Sequence, residues 1–255
     1  MLAITGTNGK TTTTTLVGEI LKRYQDNTFV VGNIGTPYTQ EVLKTDKDSV
    51  TVAEISSFQL ETAVHFHPTV SAILNITPDH LNRHHTMENY AAVKESITKN
   101  QTKDDFCVLN HEDSWLKAFA PKCPAQVIWF SSKEKLERGY YLVGSKICRN
   151  LGNGEEVLMD VDEMQLIGVH NFENVMAAIA IAAAYGVPME TILDTVKHFQ
   201  AVEHRIEYVA TKNGVVYYND SKGTNPDAAI QAIRAMKWPT VLIGGGYDKQ
   251  NTYDE

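Results

Sequence analysis

What this chain has little of narrows its class first. Its three cysteines, Cys107, Cys123 and Cys148, are odd in number and unclustered, which argues against a disulfide framework or a zinc site. No apolar run approaches the ~20 residues that a membrane span requires. Thr5 and Gly6 interrupt the first apolar stretch before the core of a secretory signal forms. Positive charge is in deficit: 23 Lys and Arg stand against 31 Asp and Glu, a formal net charge of −8. An acidic chain is a poor general binder of nucleic acid, so an anionic ligand must be held locally by helix N-termini, a few placed cations or metal. Apart from one threonine run there is no low-complexity tract, and no internal repeat is visible. The expectation is a cytoplasmic enzyme that binds neither membrane nor nucleic acid. Its 255 residues suffice to bury a real core in one large or two small domains.

What is present is concentrated at the start. Leu2-Ala3-Ile4 reads as a buried strand, Thr5 to Thr11 as a phosphate-cradling loop, and the following residues as a helix with Leu16, Val17, Ile20, Leu21 and Tyr24 on one face. Backbone N–H groups at a glycine loop and a helix N-terminus suit phosphates, a lysine supplies a mobile charge for the terminal ones, and a hydroxyl can ligate magnesium. The loop departs from G-x-x-x-x-G-K-[ST], because Ile4 occupies the position of the first glycine. The β-branched run Thr11 to Thr15 opens the helix against local propensity, at up to ~0.7 kcal/mol per residue relative to alanine, and such overrides gather at functional sites.

Further along, apolar runs at Leu2–Ile4, Phe29–Val31, Val50–Ile55, Val70–Ile76 and Phe106–Leu109 alternate with helical patterns at Thr12–Tyr24, Pro37–Leu43, Phe58–Val64 and Met87–Lys99. This predicts an α/β fold with a mostly parallel sheet between helices, whose ligands sit at the carboxyl ends of the strands. Tyr140 to Met164 reads as antiparallel hairpins, a small antiparallel sheet at the edge, and Asn171 to Tyr185 as a helix buried all round. A second helix follows Pro188. We place a domain boundary near Val202, giving domains 1–201 and 202–255. The second has strands around Arg205–Ala210 and Val215–Tyr218, a helix Pro226–Met236 and a strand Thr240–Ile243, the opening of a Rossmann-like α/β domain.

Candidate site residues fall in the loops after these strands. Glu54 closes a strand at the rim beside the phosphate loop, where it reads either as a magnesium ligand or as a solvated carboxylate. In Asn75 to His85, one histidine near metal or phosphate fits better than a zinc pair His80/His84, since Pro78 and the loop setting oppose two ligands on one helix face. Lys94 falls on the apolar stripe of Tyr90, Val93 and Ile97. It reads either as a snorkelling lysine or as one held in a desolvated site, where burial lowers its pKa and a neutral amine can react with carbon dioxide. Asn171 can cap the buried helix. Asp220 to Pro226 forms a second strand-loop-helix site.

In this order, TGTNGKT, NIG at Asn33, EISSFQLE at Glu54, NITPDHLNRH, the lysine of AAVKES, GVHNFENVMAA, EHRIE and NDSKGTNP resemble the Mur ligase family of ATP-dependent amide-forming enzymes, over nearly the whole chain. Ser56 to Glu61 is most similar to the branch that adds D-glutamate to UDP-N-acetylmuramoyl-L-alanine. The resemblance implies phosphorylation of a carboxylate by ATP, then attack of the amino acid's amine on the acyl phosphate, by a monomer acting on small molecules in peptidoglycan precursor synthesis. It implies that Gly6, Thr7, Asn8, Gly9, Lys10, Thr11 and Thr12 hold the phosphates, and that Asn33, Asn171, Asn174, Arg205 and Asp220 contact the nucleotide. Thr11 and Glu54 would ligate one Mg2+, and His80 with a carbamylated Lys94 a second. Lys10, His80 and Lys94 form the implied catalytic set, with Ser56, Lys222, Thr224 and Lys249 near the substrates. Family members begin with a domain that holds the UDP sugar and end with a complete α/β domain. The expectation is therefore a fragment of such a ligase with little activity by itself. The competing expectations are a folylpolyglutamate synthase-like ligase, a stand-alone P-loop NTPase and a non-catalytic nucleotide-binding module.

Overall fold

The computed structural model describes residues 1–246. A nine-stranded sheet runs through most of it, in the order β2-β3-β1-β4-β5-β6-β7-β8-β9. Its strands are β1 (Leu2–Thr5), β2 (Thr28–Gly32), β3 (Val50–Glu54), β4 (Val70–Ile73), β5 (Phe106–Asn110), β6 (Gln126–Ser131), β7 (Gly139–Val143), β8 (Lys146–Asn150) and β9 (Glu155–Asp160). Pairing is parallel from β2 through β7 and antiparallel from β7 to β9. The expected antiparallel hairpins are thus the edge of the main sheet. A separate two-stranded sheet joins β10 (Glu207–Lys212) and β11 (Val215–Asn219).

Side-chain alternation sorts each central strand between two cores. Leu2 and Ile4, Val70 and Ala72, and Val108 join the larger cluster, while Ala3, Ile73, Cys107 and Leu109 turn to the smaller one. Strands covered on both faces are what a parallel sheet between helices requires. On the first face α1 (Lys10–Tyr24) packs with α7 (Val169–Tyr185) and α8 (Met189–His198). Helix α7 is buried all round from Asn174 to Ala182, as its alanine-rich sequence requires. The other face is covered by α5 (Met87–Glu95) and α6 (Ser114–Phe119), through Tyr90, Leu116 and Phe119. Three single-turn helices, α2 (Tyr38–Glu41), α3 (Ser57–Leu60) and α4 (Leu81–His84), lie in loops, and α9 (Pro226–Ala235) follows the β10–β11 hairpin.

Several expectations need correction. Tyr24 ends α1 at 45% exposure and leaves the buried face to Leu16, Val17, Ile20 and Leu21. Helix α3 stops at Leu60 instead of reaching Val64, since only Ser57 and Leu60 of it are buried and an unpacked turn is marginal. Strand β6 and helix α6 lie outside the strand and helix patterns read from the sequence, although Val127-Ile128-Trp129-Phe130 is an aromatic and β-branched run of strand type. The strand expected at Thr240–Ile243 does not form. No strand pairs with it among the described residues, and Val241 and Ile243 stay 90% and 94% exposed.

The turn after β2 sets the position of Glu54. Gly32 has φ +112°, and a Cβ there would fall 2.2 Å from the Glu54 carbonyl oxygen. Gly32→Ala therefore combines left-handed strain with a backbone collision. It should cost ~3 kcal/mol, read as a fall in the urea unfolding midpoint against the native chain.

Candidate functional site

The loop between β1 and α1 is held in place by its glycines and by the loop that follows β4. Gly6 and Gly9 adopt φ +153° and +83°, and a Cβ at Gly9 would strike Asn174 Oδ1 at 2.1 Å. Only glycine permits that turn and that approach. The loop from β4 braces it: Thr7 N–H donates to the Asn75 carbonyl at 3.0 Å, and Asn8 N–H to Asn75 Oδ1 at 2.8 Å. Thr7 Oγ1 meets the Thr77 carbonyl at 3.1 Å and Tyr90 Oη at 3.2 Å. Gly9 caps α1 without a side-chain bond, so amides at the helix start remain available to an anion. Thr12 is buried, and Thr11 is half-buried.

Two lysines converge on this loop. Lys10 Nζ donates to the Gly6 and Thr7 carbonyls at 2.9 and 2.8 Å. Lys94 Nζ donates to the same Gly6 oxygen at 2.8 Å. Lys94 is 1% exposed and stands 4.7 Å from the Tyr90 ring centroid, so it does not snorkel to water. Burial, then the charge of Lys10, holds its amine well below the usual lysine range, against the pull of Asp79. Burial also lowers Lys10, opposed by Glu54. The Tyr90 hydroxyl is pushed up to about 12 by burial and stays protonated.

Glu54 faces the loop from the end of β3 and is 2% exposed. Its Oε1 accepts from Asn33 Nδ2 at 2.8 Å, while the buried Oε2 has no partner. A buried carboxylate oxygen left open beside a phosphate loop fits a magnesium ion, which takes one or two protein oxygens together with phosphates and water. Thr11 Oγ1 lies within 3.3 Å of the Arg205 guanidinium. Among the described residues no three His, Cys, Asp or Glu gather as a metal cage.

The histidines divide by burial. His80, at φ +53°, is exposed and paired with Asp79 at 3.5 Å. His84 is buried, with Nε2 3.0 Å from Ser57 Oγ and Nδ1 3.4 Å from Glu61; burial lowers its pKa. Ser56 caps α3 in a capping box with Gln59.

From the other side come α7 and the second sheet. Asn171 does not cap α7, which begins at Val169 after Gly168; its Nδ2 donates to the Ile167 carbonyl at 2.8 Å. Its Oδ1 accepts from Asn174 Nδ2 at 3.3 Å, and so joins the helix start to Gly9. A cleft collects Asn8, Asn171, Asn174, Arg205 and Asp220. Asp220 Oδ1 accepts from the Ile206 amide at 3.0 Å, and burial raises its pKa. Lys222 and Thr224 are exposed in the loop that follows, and Lys249 lies outside the described residues. Sequence reasoning missed Tyr90 and Asp79 in these roles, and it missed Asp227, whose Oδ2 accepts from Asn8 Nδ2 at 2.7 Å. The Pro226 helix start is the one local hint of that last contact.

His170 also lines the cleft. Burial pulls its pKa to about 4, against the charge of Asp227. Because the unfolded chain, near 6.5, binds the proton more readily, stability rises with pH between about 4 and 6.5 and is lost on acidification through that window. His170→Gln should flatten that slope in urea titrations, and Asp227→Asn should move the His170 midpoint, followed by NMR, lower still.

Comparison with known proteins extends this picture. The model of the Mur ligase middle domain matches residues 4–182. The chain is 64% identical over 254 residues to a UDP-N-acetylmuramoylalanine–D-glutamate ligase of Lachnospira eligens and 51% identical to the one of Clostridioides difficile, each aligned over 100% of this chain and 56% of the relative. It thus spans little more than half the length of these relatives. Among solved structures, MurF of Acinetobacter baumannii matches with a TM-score of 0.70 at 21% identity, over 90% of this chain and 52% of that one. MurF of Thermotoga maritima, solved in complex with ADP, matches at 0.69 and 21%, over 92% and 56%. With the family model spanning the phosphate loop, Glu54, Lys94 and the start of α7, this chain belongs to the Mur ligase family.

Proposed function

We propose that residues 1–201 form an ATP-binding domain, that residues from 202 open a second domain, and that the whole protein joins D-glutamate to UDP-N-acetylmuramoyl-L-alanine in the cytoplasm. The observation that carries this reading is Lys94. A simple P-loop NTPase needs one lysine at the phosphates, whereas here a second one, 1% exposed, shares its carbonyl acceptor. The names of the relatives support the choice of substrates.

In this mechanism the loop amides and Lys10 hold the terminal phosphoryl group while a carboxylate oxygen of the sugar substrate attacks phosphorus and the bond to ADP breaks. The amine of D-glutamate then attacks the acyl carbon, and phosphate leaves. The residues' part is positioning and charge stabilisation. Magnesium, held by Thr11 and Glu54, would neutralise charge on the phosphates. Addition of carbon dioxide to the neutral Lys94 amine, with loss of a proton, gives a carbamate that can serve with His80 toward a second ion. The neighbouring Lys10 then attracts where it had repelled. Asn33, Asn171, Asn174, Arg205 and Asp220 contact the nucleotide, and Ser56, Lys222, Thr224 and Lys249 lie toward the substrates.

In the full-length protein, Lys10→Ala should weaken ATP binding at least ~10-fold, about 1.4 kcal/mol, by calorimetry. Lys94→Ala should slow D-glutamate-dependent phosphate release on the order of 10²-fold, with partial recovery on adding a short carboxylate. Unchanged turnover in Lys94→Ala would favour a plain NTPase.

A further inference from the structure

On the face of the sheet covered by α5 and α6, two cysteines from successive elements share one apolar cluster. Cys107 lies in β5, paired in register with Ser71 of β4 and Val127 of β6, and is wholly buried. Cys123 lies just before β6, after the turn Ala120–Lys122, and is part-exposed. Because β5 and β6 are parallel neighbours, the segment entering β6 passes beside β5. Cys123 packs on the cluster that contains Cys107, close enough for each thiol to bear on the other's ionisation.

Their environments differ in a useful way. The Cys107 thiol, then the Ala125 amide, stabilises the thiolate of Cys123 and lowers its pKa against the effect of burial. Burial pushes the Cys107 thiol well up. An accessible, acidified thiol beside a second thiol is the arrangement that reacts with oxidants and is then resolved. Cys148 lacks such a neighbour: it is buried in a different cluster with Leu136 and Tyr141, its thiol 3.8 Å from the Lys146 carbonyl.

We propose that Cys123 and Cys107 form a peroxide-reactive dithiol that closes into an intramolecular disulfide. The Cys123 thiolate attacks one oxygen of hydrogen peroxide, the O–O bond breaks, hydroxide leaves, and the sulfur becomes a sulfenic acid, oxidised by two electrons. Cys107 gives up its proton as its sulfur attacks the Cys123 sulfur. The S–O bond breaks, and the departing hydroxide takes the proton to form water. A thiol reductant reverses the product. Neither cysteine belongs to the nucleotide site, so the proposal stands apart from the ligase reading.

The test is peroxide treatment of the folded chain, followed by alkylation under denaturing conditions and peptide mass mapping. The expected result is loss of two alkylatable thiols, a crosslinked peptide pair containing Cys107 and Cys123, a mass lower by two hydrogen atoms, and recovery on reduction, with Cys148 still alkylated. Cys107→Ser should yield no crosslink and a dimedone-trapped sulfenic acid at Cys123. Cys123→Ser should leave Cys107 reduced. Cys123 remaining fully alkylatable in the native chain, a crosslink through Cys148 or between chains, or accumulation of sulfinic acid at Cys123 without a crosslink would each overturn the proposal.

Discussion

The Gly6 carbonyl accepts from Lys10 and from Lys94, and the rest of the site is arranged around that shared oxygen. Two full positive charges a few ångströms apart repel by about 4 kcal/mol at an effective dielectric near 20. Burial adds a further penalty on charging Lys94. The conflict falls on Lys94, the more deeply buried of the two, whose amine burial and then the charge of Lys10 push well below the usual lysine range. Such a depression favours the neutral form of the amine, which can react with carbon dioxide where an ammonium is inert.

Sheet topology supplies the convergence. Strand β1 lies between β3 and β4, so the loop after it receives Glu54 from one neighbour and Asn75 and Thr77 from the other. Helix α5 contributes Tyr90 and Lys94 one turn apart, as an i, i+4 pair on one face. Tyr90 thus touches Thr7 with its hydroxyl and Lys94 with its ring. Glu54 completes the group with one oxygen bound to Asn33 and the other open.

What the sequence reveals here is what is local. The strand, glycine loop and helix at residues 2–24 follow from apolar alternation and glycine spacing, and the position of Lys94 on its helix stripe follows from the 3.6-residue period. The contacts of the site are long-range: Thr7 to Tyr90 spans 83 positions and Asn8 to Asp227 spans 219; no local pattern encodes the first, and only the helix start at Pro226 hints at the second. Histidine spacing at 80 and 84 does not say which ring is buried; that depends on where Ser57 and Tyr90 meet His84. Asn171 looks like a cap because the true start of α7 is set by Gly168 at φ +92°, a conformation that composition does not disclose. Thr240–Ile243 has the composition of a strand, but no strand among the described residues pairs with it.

The central claim is that the fold holds Lys94 as a neutral, carbon dioxide-reactive amine. The direct measurement is 13C NMR of the protein in labelled bicarbonate near neutral pH. A carbamate carbonyl resonance that vanishes in Lys94→Ala is the predicted result. No such resonance, together with a Lys94 amine that titrates at its ordinary value near 10.5, would contradict the account.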